Sequence, residues 1–472
     1  MIDQYEYESQ LSDSVRSQNS ESKSDKSIIL HIYSTKIDCT TLEEFLGISN
    51  MIILEPTEDF QNTINTFLKV SKTKSENEGS LEFNNHLKKF NPQVTFTGNQ
   101  KGGEFGLVFC DKQPDFTWSM NEQFHSWNII TIIEKKKNVL TRNEISQMLE
   151  YLRMIIQISP ERNYAVGCLT NYKEIIFGKT SIVNDKFIYE VFKSKNVIKE
   201  YWKFLHCNPS HLGHVKFSIP NNFYVKLSLG RGANGIVYQI EHENIQYAMK
   251  ISNKTSTKEY EIAEKMKNYI NEHSLSDIKI IHMFNIQGFI LSRPVGKLMN
   301  KNDLCKKKYI NQLFKQLSIG QKLGFVHRDI RIYNLILFND DIYLIDWDSS
   351  TYNGFQGNYE GTFTTASTSV LTEYELTHGK QVSAYYADDC LSIIYMLLLS
   401  KCTKEEHAAL KQYASVSSAG ELIVERSEIL LQRHPTIIDH LNEIEKQRHN
   451  LFDIDDLHNR CQQIIQQHID LI

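Results

Sequence analysis

Apolar positions begin to follow a pattern at residue 28. Residues 1 to 27, "MIDQYEYESQLSDSVRSQNSESKSDKS", are Ser-rich, charged and almost free of aliphatics. They cannot bury enough apolar surface to offset the entropy of ordering, and they read as a disordered arm. "IILHIY" (28–33) and "MIILEP" (51–56) are short strand-like runs, and "SKTKSENEGS" (71–80) is a polar break. From residue 80 to about 200, helix-period and strand-like runs alternate, as an α/β domain would. "SLEFNNHLKKF" (80–90) reads as helix, "SWNIITIIEKKK" (126–137) as strand, and "RNEISQMLEYLRMII" (142–156) as an amphipathic helix. "CNPSHLGHVKFSIPNN" (207–222) gathers Pro, Gly, Asn and Ser and marks a linker. A strand-rich segment then runs from Phe223 to about Pro294, and a mostly helical remainder to Ile472.

The pattern predicts a multidomain α+β chain. Residues 1–27 form the arm, 28–79 an α/β extension of unknown role, 80–206 an α/β domain, 207–222 the linker and 223–472 a second domain. No internal repeat is visible.

Composition narrows this picture without changing it. The chain has 472 residues, 41% hydrophobic and 23% charged, so two or three soluble globular domains are expected. A net charge of -5 gives no overall basic field, so a nucleic acid would have to meet a local patch. The eight cysteines include no C-x-x-C pair, which argues against a zinc knuckle or a disulfide framework and for a reducing compartment. With no membrane-length apolar run and no signal-like start, a cytoplasmic or nuclear location and no membrane partner are expected.

The second domain carries phosphate chemistry. "LGRGANGIVY" (229–238) places Gly230, Gly232 and Gly235 between two strand-like flanks, so the glycines sit in a hairpin rather than at a helix start. Such a hairpin lets backbone amides approach a polyphosphate without interference from Cβ atoms. Lys250, in "YAMKIS" on the next strand, can bridge phosphate oxygens. Glu259 in "KEYEIAEKMKNY" is its expected anionic partner, because Ile262, Ala263 and Met266 then form a core-facing stripe. "HRDIRIYN" (327–334) and "DIYLIDWDSS" (341–350) supply Asp329, Asn334 and Asp346. One carboxylate can accept a hydroxyl proton while an amide and a second carboxylate hold Mg²⁺ on the phosphates.

These motifs occur in the order and near the spacing of protein kinases, and the segment from Phe223 onward resembles that family. The resemblance implies a two-lobed fold with ATP in its cleft. It assigns Asp329 as catalytic base, Asn334 and Asp346 as metal ligands, and Lys250 with Glu259 as the phosphate-orienting pair. It puts Leu229, Val237, Ala248 and the backbone near Ser292 around the nucleotide. By the same likeness Asp389, in "ADDCLSIIYMLL" (387–398), anchors the catalytic loop. Arg331 stands where Ser/Thr kinases usually have Lys and some tyrosine kinases have Arg. Two departures stand out: "DWD" replaces "DFG", and "GTFTTASTSVL" (361–371) replaces a clear "APE".

In the first half, Pro114-Asp115 precedes a strand ending in Glu134 and Lys136. Carboxylates at neighbouring strand ends can hold Mg²⁺, with a lysine to stabilise an attacked phosphate. Gln147 and Tyr151 lie one turn apart on the following helix. This arrangement resembles the PD-(D/E)XK nuclease-like fold, a restriction-endonuclease-like α/β domain in which Glu82 would be the further acidic residue. The pairing of such a domain with a kinase resembles Crinkler-type effector proteins. The leading expectation is a protein kinase using ATP and Mg²⁺ on an unknown protein substrate, with possible DNA contact through the N-terminal domain. The alternatives are a Mg²⁺ nuclease regulated by its kinase half, a non-enzymatic ATP-binding scaffold, and a small-molecule kinase suggested by "DWD".

Overall fold

A computed structural model describes residues 39–48, 55–70, 89–91, 95–98, 103–120, 124–184, 186–232, 235–253, 257–414, 419–450 and 453–468. The arm, the first early strand-like run, most of the second and most of the helix expected at 80–90 lie outside them. By contacts the chain forms two compact units. The first runs to Ile240 and takes in Lys250–Thr255; the second comprises Glu241–Met249 and Ser256 onward. The division passes through the strand Ile245–Ser252.

The first unit begins with helices α1 (Leu42–Leu46) and α2 (Glu58–Val70), then β1 (Thr95–Gly98), α3 (Gly103–Phe109), β2 (Phe116–Ser119) and β3 (Ile129–Lys135). It continues through α4 (Arg142–Ile158), β4 (Tyr164–Thr170), β5 (Ile175–Val183), β6 (Lys186–Ser194) and α5 (Val197–Leu205). The six strands pair in sequence order, and only β3 with β4 runs parallel. That parallel step needs a crossover, and α4 supplies it. A Thr141/Glu144 capping box starts α4, satisfying backbone N–H groups that the first turn leaves without partners. β3 reads as an almost unbroken β-branched run because every one of its residues is buried.

Helices cover both faces of this sheet. Phe60, Ile64, Tyr201, Trp202 and Phe204 pack in one core with Phe116, Ile133, Cys168 and Phe177. On the α4 side, a Cβ at Gly167 would stand 3.0 Å from Leu152 and one at Gly178 only 2.4 Å from Met148, so glycine permits the close approach. The segment 207–222 is partly built into this unit: Leu212 is fully buried and its carbonyl accepts from Arg162 at 3.1 Å. β7 (Tyr224–Arg231) and β8 (Gly235–His242) follow as sheet neighbours, and β9 is the divided strand Ile245–Ser252.

In the second unit, α6 (Lys258–Glu272) precedes β10 (His282–Ile286) and β11 (Phe289–Arg293), which pairs with the first part of β9. Next come β12 (Lys297–Leu298), α7 (Lys307–Lys322), β13 (Phe325–Val326), β14 (Leu335–Phe338), β15 (Asp341–Leu344) and β16 (Thr351–Tyr352). Helices α8 (Thr368–Thr377), α9 (Tyr386–Ser400), α10 (Lys404–Tyr413), α11 (Ala419–Arg433), α12 (Ile437–Gln447) and α13 (Ile454–His468) complete it. α9 is apolar all round and therefore central. Its Leu391, Ile394 and Leu398 share a core with Leu313 and Leu317 of α7 and Leu457 and Ile465 of α13. No described helix is long and apolar enough to cross a membrane.

Candidate active site

The loop between β13 and β14 is held from below by α9. Asp389, with no exposed surface, accepts from the backbone N–H groups of His327 (2.7 Å) and Arg328 (2.8 Å). Arg328 has a left-handed φ of 71°, a conformation that costs energy outside glycine. Two bonds from one buried carboxylate stabilise it. Burial is the main reason the Asp389 carboxyl rises to about 7, against the opposing pull of those two N–H donors.

His327 is also buried, and desolvation lowers its pKa, so the ring is neutral at pH 7. Its Nδ1 accepts from the Asp329 N–H (3.3 Å), which leaves Nε2 to donate to the Ile345 carbonyl (3.1 Å). The histidine thus ties the loop to the residue before Asp346.

Asp329 itself is engaged at both oxygens. Thr362 Oγ1 donates to Oδ1 at 2.6 Å, and Asn334 Nδ2 donates to Oδ2 at 2.9 Å. Arg331 Nε lies 3.2 Å from Oδ2. The same Asn334 nitrogen donates to the Asp329 carbonyl (2.8 Å), which fixes the amide flip and assigns Oδ1 as the remaining acceptor. Asp346 has a left-handed φ of 66°, and its N–H donates to Glu259 Oε1 at 3.0 Å. Carboxylate oxygens of Glu259, Asp346 and Asp348 lie within 4.8 Å of one another. Trp347 is buried, and Gly320 of α7 makes room for it: a Cβ there would come within 2.3 Å of the indole.

The segment that stands in place of "APE" is pinned from α11 and from α12, where Glu445 accepts from the Thr368 N–H at 2.7 Å. Buried Arg426 donates to the carbonyl of Ala366 and to Thr368 Oγ1. Arg448 pairs with Glu373 at 2.7 Å and with Asp388 at 3.2 Å. Thr365 Oγ1 donates to the Ile330 carbonyl at 2.9 Å. Sequence reasoning missed Thr362 and these arginines. Thr362 is one of several threonines in "GTFTT", and nothing local marks it out.

The glycine-rich hairpin closes with a bond from Gly232 N–H to the Gly235 carbonyl (2.8 Å). A Cβ at Gly235 would meet the Ile251 carbonyl oxygen at 2.4 Å, so this position requires glycine for close strand approach. Leu229 and Val237 lie on β7 and β8, and Ala248 and Lys250 on β9. Lys250 belongs to the first unit and Glu259 to the second. Ser292 lies inside the sheet, opposite Met283 on one side and Ala248 on the other. The chain leaves the sheet only after Arg293.

The first unit holds a second cluster. Asp115 Oδ2 accepts from the Lys135 N–H (2.7 Å) and lies 3.3 Å from Lys136 Nζ. Glu134 Oε1 accepts from the Asp115 N–H (2.9 Å), and its Oε2 lies 2.9 Å from Lys136 Nζ. Burial, then the Asp115 charge, push the Glu134 carboxyl up to about 7, while Glu134 and Asp115 together hold Lys136 protonated against its own desolvation. Gln147 Nε2 donates to Tyr151 Oη at 2.8 Å. Glu82 lies outside the described residues.

No protein-family model matches this chain. It is 27% identical over 144 residues to a protein of Acanthamoeba polyphaga mimivirus named "Putative serine/threonine-protein kinase L670". The likeness is to protein kinases. The match covers 28% of this chain and 26% of the relative's length, so the chain spans about a quarter of that protein. Among solved structures, the Cydia pomonella granulovirus kinase, PK-1, matches with 14% identity and a TM-score of 0.30, over 44% of this chain and 92% of its own.

Proposed function

We propose that this chain is a protein kinase that uses ATP and Mg²⁺ to phosphorylate a Ser, Thr or Tyr hydroxyl of a protein substrate. The observation that carries this reading is the held geometry of Asp329, whose two oxygens are oriented by Thr362 and Asn334 while Asp389 fixes the loop beneath. In that geometry Asp329 takes the proton of the attacking hydroxyl. The hydroxyl oxygen bonds to the γ-phosphorus as the bond to the leaving β-phosphate oxygen breaks. Arg331 adds positive charge beside the reacting group. The hairpin glycines Gly230, Gly232 and Gly235, with Lys250, would cradle the phosphates, and Leu229, Val237 and Ala248 would face the adenine.

The donor set suits a hard cation. Asn334 keeps its Oδ1 as acceptor, and Asp346 adds a carboxylate, giving the all-oxygen ligands that Mg²⁺ prefers. Bound there, the ion would neutralise phosphate charge. The test is transfer of labelled phosphate from ATP to the protein itself and to a generic protein substrate. Wild type should label both, and Asp329→Asn, which keeps the shape and removes the base, should lose activity by orders of magnitude. Equal labelling by the two proteins would sink the assignment.

A second reading is supported by the meeting of Asp115, Glu134 and Lys136. We propose that the first unit is a nuclease-like module that binds or cleaves DNA with Mg²⁺. Cleavage that is lost in Asp115→Ala and kept in Asp329→Ala is the expected result. Cleavage unaffected by Asp115→Ala would rule it out.

A further inference from the structure

Arg231 stands between two glycines of the phosphate-cradling hairpin, where an exposed side chain would be the simple expectation. Instead its side chain is half-buried and its guanidinium turns back onto the domain. Nη1 donates to the carbonyls of Leu107 (2.9 Å) and Val108, in the last turn of α3. The final carbonyls of a helix lack intrahelical partners and carry its negative pole, so a cation that caps them satisfies both needs. Burial lowers the Arg231 pKa, as expected for a charge removed from water.

A second contact reaches the other end of the same helix. The Tyr238 hydroxyl, on β8, donates to Glu104 in the first turn of α3 and lies 2.9 Å from Ser126 Oγ. Its ring packs 5.0 Å from that of Trp127. Glu104 also accepts from the Ser126 N–H at 2.9 Å and faces His125 Nδ1 at 3.0 Å. A third contact lies just beyond β9. Asn253 Nδ2 donates to the carbonyls of Ile156 (2.6 Å) and Arg162 (2.7 Å), while its own carbonyl accepts from the Glu161 N–H (3.1 Å). All these residues belong to the first unit. The hairpin is therefore fastened to the N-terminal domain at the end of β7, along β8 and just beyond β9.

We propose that Arg231 and Tyr238 are positioning residues of the glycine-rich hairpin, through which helix α3 of the N-terminal domain sets nucleotide affinity. The inference rests on the nucleotide-binding role proposed above. Neither side chain touches the reacting atoms in this scheme. Each acts by holding the two strands whose amides meet the phosphates. Because α3 leads through the left-handed residues Cys110 and Asp111 into Asp115, the same helix adjoins the acidic cluster.

The experiment uses the full chain as wild type, Arg231→Ala, Arg231→Lys and Tyr238→Phe. Two readouts are taken: amide hydrogen exchange in β7, β8 and α3 without nucleotide, and KM and kcat for ATP. Arg231→Ala should speed exchange in the hairpin and in α3 by roughly tenfold or more, the scale of losing hydrogen bonds to a charged donor. It should raise the KM for ATP by about tenfold with kcat little changed. Arg231→Lys should recover part of both effects, and Tyr238→Phe, the gentler change, should shift them in the same direction. Unchanged exchange in both Arg231→Ala and Tyr238→Phe would overturn the proposal. So would faster exchange with an unaltered KM, which would make the contacts merely structural. If wild type transfers no phosphate, the kinase reading falls, and equilibrium binding of ATP takes the place of KM: a Kd about tenfold weaker in Arg231→Ala would uphold the proposal, and an unchanged Kd would overturn it.

Discussion

Asp329 accepts a bond at each carboxylate oxygen, and the two donors come from opposite ends of a stretch of sequence. Asn334 is five residues away and was readable beside it in "HRDIRIYN". Thr362 is thirty-three residues away and was not. A hydroxyl 2.6 Å from Oδ1 fixes the carboxylate's rotation, so its loss should act on the chemical step more than on binding. Thr362→Val, which keeps the shape, is expected to lower kcat by about tenfold with KM for ATP nearly constant, and Thr362→Ser to restore most of it. Steady-state kinetics on the purified variants decide this. A kcat equal to wild type in Thr362→Val would show that Asn334 alone is enough.

At the scale of elements, the loop that carries Asp329 depends on α9. The sequence signal for this helix was strong: a fifteen-residue run, almost entirely apolar, with Asp388 and Asp389 near its start. An aspartate there could have been only an N-cap. The two carboxylates divide the work: Asp388 accepts from the Tyr385 N–H in a capping box, and Asp389 turns inward to the loop. Burial raises the Asp389 carboxyl to about 7 in the folded protein, well above the value near 3.9 of an unfolded chain. The native state then binds this proton more tightly than the unfolded state. Its contribution to stability therefore falls as pH climbs from about 4 to about 7 and is constant above. In Asp389→Asn, urea midpoints should vary less than wild type across that window, although the variant is less stable throughout. Parallel pH profiles for the two proteins would contradict the burial argument.

The whole molecule contains two carboxylate sites in two units, each with its own expected response to a divalent ion. The pattern "PD…EKK" was legible as a candidate because charge abruptly ends an apolar strand. What brings Asp115 beside Glu134 is the antiparallel pairing of β2 with β3, which sets Phe116 against Ile133. Mn²⁺ alone, as probe, should raise the thermal midpoint of wild type, and Asp115→Asn should abolish that rise. Saturation a hundredfold above Kd corresponds to about 2.7 kcal/mol of stabilisation. A further rise with an ATP analogue present should survive Asp115→Asn and be lost in Asp346→Asn. If wild type shows no rise with Mn²⁺ alone, the first site does not hold a metal.

The sequence alone determined the order of elements, the hairpin character of the glycine-rich segment and the principal acidic residues, because these depend on local periodicity and on residues a few positions apart. Only the tertiary structure decided which side chains complete those sites. Thr362 at Asp329, Gly320 beneath Trp347, and Arg231 on the carbonyls of α3 are contacts between segments far apart in sequence. Packing creates them by burying polar groups that must then find partners, and no local pattern records which partner is found. The same physics sets the surroundings of Ser292, which on both sides come from strand pairing rather than from its neighbours in the chain.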